Sequence, residues 1–156
     1  MSKKLAVFAF AFVAFAMVAN AQLYKTGDAQ LNSALMVMDN DAKKDFSNFS
    51  KDMGTTYNVP ETKIKTMSDS GMPASDIYMV LETSKASKKP VDDVVKVYNA
   101  NKEKGWGAIA KELGIKPGSP EFHAMKKGAD DRAKKSKSKT EPKKEPTKKD
   151  QKAKKQ

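Results

Sequence analysis

Two kinds of hydrophobic patterning divide the chain. Residues 5–18 form an unbroken apolar run of fourteen, whereas from Asp28 onward apolar residues recur every three or four positions. Between residues 28 and 53 they fall at Leu31, Leu35, Met38, Ala42, Phe46, Phe49 and Met53, one face of a long amphipathic helix. Asp28 is placed as its N-cap and Gly54 as its stop, with the Asn/Asp-rich residues 39–41 as an alternative point of division. Pro60 opens a short second helix through Ile64 and Met67, ending at Gly71. Ser75 caps a third with Ile77, Val80 and Leu81, and Pro90 opens a fourth with Val91, Val94, Val95 and Tyr98. Gly105 precedes a fifth carrying Trp106, Ile109, Ala110 and Leu113, closed by Gly114. Ser119 and Pro120 read as N-cap and first residue of a last, short helix that turns Phe122 and Met125 inward. No alternating run is long enough for a sheet, so the pattern predicts an all-α fold, a small bundle of five to six helices with Trp106 as its anchor.

The apolar run has a different meaning. Lys3 and Lys4 precede it, and Ala19-Asn20-Ala21 follows with small residues where a signal peptidase reads. Fourteen apolar residues fall short of the roughly twenty needed to cross a bilayer. The expectation is a secretory signal peptide over residues 1–21, cleaved between Ala21 and Gln22, and a mature protein that is periplasmic or secreted.

Charge sharpens the division. The 156 residues carry a formal net charge of +11 and no cysteine, which removes disulfide scaffolds, thiolate metal sites and cysteine nucleophiles. The net charge is +2 over residues 1–21, zero over 22–125 and +9 over 126–156. The last stretch holds five Lys-Lys pairs, and its apolar side chains are Ala129, Ala133 and Ala153. Such a composition buries too little surface to offset the entropy of ordering. The chain is therefore expected to comprise a signal peptide (1–21), a helical domain (22–127) and a disordered basic tail (128–156). Lys134, Lys135, Lys143, Lys144, Lys148, Lys149, Lys154 and Lys155 are the candidate polyanion-binding residues, with anionic envelope or extracellular polymers as partners and room for a protein partner as well.

Catalytic chemistry has little to stand on. His123 is the single histidine, so no histidine metal cage can be assembled and no spare histidine is left for a triad. The methionines of residues 22–156 sit largely in the predicted core stripes, where they fill gaps. Nucleophile-elbow, zinc-protease, phosphate-loop and calcium-loop patterns are all missing. No catalytic, cofactor-binding or metal residue is assigned, and no cofactor is expected. Tyr98, Trp106 and Phe122 are the candidate lining of a core pocket, the basis of an alternative reading as a helical enzyme or small-ligand carrier.

The most distinctive run is residues 104–126, Lys-Gly-Trp-Gly-Ala-Ile-Ala-Lys-Glu-Leu-Gly-Ile-Lys-Pro-Gly-Ser-Pro-Glu-Phe-His-Ala-Met-Lys. Its Trp-x-x-Ile-Ala-x-x-Leu-Gly resembles helices of Myb-like DNA-binding domains, which implies a helix-turn-helix reading that the signal peptide argues against. With Tyr57-Asn58-Val59-Pro60 and Lys89-Pro90-Val91-Asp92, the same run resembles a group of small exported bacterial proteins of unknown function, over about residues 28 to 127. That resemblance implies an exported helical protein and supplies no site residues. The reading expected from the whole is a non-enzymatic, exported binding or structural protein with a polycationic tail.

Overall fold

The computed structural model describes residues 24–140, with side chains described through residue 137. The expected signal peptide, its cleavage point and the Lys-rich residues 141–156 lie outside the described residues. Those described form seven α-helices and one 3-10 turn, with no strand: α1 (Ala29–Lys44), α2 (Phe46–Tyr57), α3 (Glu61–Asp69), α4 (Ala74–Ser87), α5 (Val91–Asn101), the turn Lys102–Lys104, α6 (Trp106–Glu112) and α7 (Pro120–Thr140). The all-α expectation holds. The count rises because one predicted helix is two.

The division comes at Asp45, beyond residues 39–41. The Asp45 amide closes α1 on the Asp41 carbonyl at 3.0 Å, while its carboxylate accepts from the Asn48 amide at 2.9 Å and caps α2. One aspartate thus ends one helix and starts the next. Gly54 does not stop the helix as expected. It lies inside α2, where a Cβ would meet the Val59 carbonyl at 2.9 Å, and the chain leaves the helix at Asn58 in the left-handed region, φ 51°. Asp28 does cap α1, accepting from the Leu31 amide at 2.8 Å.

Helix α4 is the axis of the bundle. Ile77, Tyr78, Met79, Val80 and Leu81 are each at most 2% exposed, five consecutive residues that cover the full circumference. A helix apolar all round needs neighbours all round, and α1, α2, α3, α5 and α7 supply them. Its start departs from the expected Ser75 cap. Pro73 precedes the first turn and makes no side-chain cap, and Asp39 of α1 does the work across the core, accepting from the Ser75 amide at 2.7 Å and the Ser75 hydroxyl at 2.9 Å.

Helix α7 is the largest departure. Residues 128–140, expected to be disordered, continue the helix begun at Pro120. The physical reason is size complementarity. Met125 and Ala129 are at most 1% exposed, and Ala133 follows one turn later against the same core. Small residues bury little of their own surface, but they let α7 close on large side chains from α1, α2 and α4. Gly128 marks the closest approach, where a Cβ would stand 2.8 Å from the Tyr78 hydroxyl. The contacts also give direction. Lys126 pairs with Asp28 at 2.9 Å, Asp130 accepts from Gln30, and Ser136 donates to Asp41. Both helices advance together along these pairs, so α1 and α7 run parallel.

The segment before α1 is also built in. Tyr24 is 5% exposed, and the Lys25 carbonyl accepts from the Gly107 amide at 3.1 Å. Gly105 has φ 83°, and a Cβ there would lie 2.2 Å from Lys25 Cβ. The two glycines flanking Trp106 form the seat for residues 24–27.

Candidate functional site

Of the three residues expected to line a core pocket, the structure joins two. Tyr98 of α5 and Trp106 of α6 stack with ring centroids 5.4 Å apart and planes 30° apart, and Trp106 is 3% exposed. Phe122 is half-buried on α7, edge-on to the His123 ring at 6.3 Å. The stacked pair fills space against a carboxylate that sequence reasoning missed. Asp76 in the first turn of α4 accepts from Trp106 Nε1 through Oδ1 and from the Tyr98 hydroxyl through Oδ2, both at 2.6 Å.

A second carboxylate, this one buried, lies in the same network. Asp39, 9% exposed, accepts from the Tyr24 hydroxyl at 2.8 Å as well as from Ser75. Among the described residues no ion pair reaches Asp39 or Asp76. Both sit instead at the amino end of α4, where helix amides favour negative charge. Burial pushes the Asp76 carboxyl above the ordinary aspartate range, the Trp106 and Tyr98 hydrogen bonds pull it back in part, and the Asp39 charge adds to the rise. Burial and the carboxylates likewise hold the Tyr24 and Tyr98 phenols up, so both remain donors. Donors and acceptors are matched throughout this network. It welds the leading segment, α1, α4, α5 and α6 together, and no nucleophile or acid–base pair opens to solvent within it.

Charge meets the core at a second place. Arg132, the one arginine among thirty basic residues, pairs from α7 with Asp52 and donates to the Thr56 hydroxyl at 3.0 Å on α2. Its guanidinium lies 5.9 Å from the Tyr57 ring centroid and 5.8 Å from that of Tyr78. Tyr57 donates to the buried Glu82, and Tyr78 to the Met125 carbonyl at 3.0 Å. The isolated arginine in a lysine-rich segment was the available sequence signal, because a planar fork that stacks and binds a carboxylate is work lysine does poorly.

Two clefts border α7. The larger, about 720 Å³, is lined by the apolar Met38, Ala42, Phe49, Met53 and Ala133, with Lys44 and Lys135 also in its lining. The smaller, about 400 Å³, runs between Glu82, Lys85 and Ala86 of α4 and Glu121, Ala124 and Lys127 of α7. Neither lining includes Tyr98, Trp106 or Phe122. Of the candidate polyanion-binding lysines, the structure places Lys134 and Lys135, both exposed on α7, with Lys137 exposed beside them. Lys143, Lys144, Lys148, Lys149, Lys154 and Lys155 lie outside the described residues. Residues 126–140 hold seven cations and two acids, so more than half of the +9 belongs to the folded helix. Among the described residues no cluster of three His, Cys, Asp or Glu side chains is placed to hold a metal ion, and no helix is long and apolar enough to cross a membrane. Comparison with family models, with curated proteins and with solved structures finds no match to this chain.

Proposed function

We propose that the chain is an exported, non-enzymatic binding protein whose lysine-rich C-terminal region holds a neutral helical body on anionic polymers of the envelope or the extracellular space. The observation that carries this reading is the distribution of charge. Residues 22–125 balance to zero, while α7 presents Lys134, Lys135 and Lys137 to solvent and residues 141–156 add seven further lysines. Export rests on the charged, apolar and small-residue order of residues 1–21. Multiple exposed ammonium groups act as point charges without fixed geometry, which suits diffuse, salt-sensitive attachment over selective recognition of a small ligand.

The test is retention on an immobilised polyanion across a salt gradient, comparing the full chain with a K134Q/K135Q/K137Q variant and with a chain ending at Thr140. Both changes should move elution to lower salt. Unchanged elution for both overturns the attachment reading, and mass spectrometry finding Met1 intact on the exported protein overturns the signal-peptide assignment. Cutting at Gly128 is not a valid comparison, because Ala129 and Arg132 belong to the packed core and its edge.

A further inference from the structure

The parallel run of α1 and α7 sets the C-terminal turn of α1 beside residues 134–137 of α7. Lys43 and Lys44 occupy the last turn of α1. Ser136 of α7 donates to Asp41 of α1, and Lys44 and Lys135 line one cleft, which sets the α1 lysines level with Lys134, Lys135 and Lys137. All five are exposed. Lysines at a helix C-terminus are favoured by the dipole, so the last turn of α1 tolerates Lys43 and Lys44 together.

The acids nearby are engaged locally. Asp41 faces Lys44 at 3.5 Å and accepts from Ser136, Asp45 caps α2, and Asp52 holds Arg132. Among the described residues no ion pair engages Lys43, Lys134 or Lys137. The surface also lacks what a nucleic acid would use. Met36 is the one exposed large hydrophobic side chain among the described residues, and the one exposed aromatic ring among them, that of His123, lies in the first turn of α7, away from Lys134, Lys135 and Lys137, so this end offers bases no exposed ring to stack on. The one arginine, the residue suited to bidentate phosphate or guanine contacts, is already paired with Asp52.

We propose that this basic end is a composite docking surface for a linear acidic polysaccharide, with Lys43 and Lys44 of α1 acting alongside the α7 lysines. The inference rests on the attachment reading above and deepens it. It assigns part of the binding to the folded body, and it names a polymer of spaced carboxylate or sulfate groups over a nucleic acid.

The experiment measures binding of the full chain to polygalacturonate, heparin and an oligodeoxythymidylate across a salt series. K43Q/K44Q is compared with K111Q/K116Q, which removes two exposed lysines of α6 and the loop after it, and with the charge-retaining K43R/K44R. Far-UV circular dichroism confirms that each variant is folded. K43Q/K44Q should weaken binding to polygalacturonate or heparin about three- to tenfold at low salt and lower the slope of log K against log salt by roughly one to two, one for each lost cation. K111Q/K116Q should change affinity less than twofold, and K43R/K44R should keep most of it. Equal losses in the two glutamine variants mean that net charge alone matters and overturn the composite surface. Tighter binding to the oligonucleotide than to either polysaccharide overturns the choice of polymer. Failure of the unaltered chain to bind any of the three removes the attachment reading itself.

Discussion

Trp106 Nε1 donates to Asp76 Oδ1 at 2.6 Å, joining the short helix α6 to the first turn of the central helix α4. The indole is buried, and its polar edge finds an anion that also receives the Tyr98 hydroxyl, so one carboxylate serves two aromatic donors from two elements. Seven residues of α6 are too few for a helix to be stable alone, and this bond together with the ring stack holds it in place.

Substitutions at Asp76 should separate charge from hydrogen bonding. In D76A two buried donors lose their acceptor, at a cost of about 1–3 kcal/mol for each unsatisfied group, so the free energy of unfolding by urea should fall by about 2–6 kcal/mol. In D76N the amide oxygen still accepts from Trp106 while the amide nitrogen donates to the Tyr98 oxygen, and a penalised charge is removed. At neutral pH D76N should be at least as stable as the unaltered chain. A D76N as damaging as D76A would show that the charge itself is required.

Stability should rise on mild acidification. The Asp76 carboxyl titrates above its unfolded value, so the folded chain binds this proton first and stability falls as pH rises through that window. Asp28 acts in the opposite sense. Burial works against its charge, but the Leu31 amide and Lys126 outweigh that and hold its carboxyl below the ordinary aspartate value, so its contribution is lost as pH falls below about 4. The midpoint of thermal unfolding should therefore increase as pH falls from neutrality toward the ordinary aspartate range and decline below about pH 4. D76N should flatten the first limb and leave the second.

Replacing Gly105 by alanine tests the seat for residues 24–27. The substitution imposes a left-handed φ of 83° on a residue with a Cβ and drives that carbon into Lys25. The two effects should cost about 2–4 kcal/mol together. Because the Gly107 amide is bonded to the Lys25 carbonyl beside the indole, Trp106 fluorescence should also change. A thermal midpoint and emission maximum equal to those of the unaltered chain would mean that the leading segment is not docked on these glycines.

Arg132 should prove structural in a segment whose lysines are not. R132A removes the Asp52 pair, the Thr56 hydrogen bond and the contact with two tyrosine rings, an expected loss of about 1–3 kcal/mol. R132K keeps the charge without the planar fork and should recover less than half of that loss. K134Q, two residues away and exposed, should alter thermal stability by less than about 0.5 kcal/mol. Equal effects of R132A and K134Q would place Arg132 outside the packing of α7.

The helices themselves were readable from spacing and punctuation. The stripe from Leu31 to Met53 names residues that are buried, apart from the half-buried Phe46, and Pro60, Pro90, Gly105, Gly114 and Ser119 stand at helix boundaries. These signals are local. Hydrophobic period, proline φ and glycine freedom act within a turn or two of the residue concerned, so a linear reading captures them.

Tertiary structure decided the rest. It assigned Asp39 to cap a helix thirty-six residues away, and it gave Asp76 two aromatic donors. It also carried α7 past Gly128, because the large side chains of α1, α2 and α4 supply the surface that alanine and glycine lack. Composition counts what a segment can bury by itself, whereas a helix is held by what its neighbours bury against it. For that reason the sequence determined the helical class and the total of charge, and the packing of α7 determined that more than half of the C-terminal charge rests on the fold.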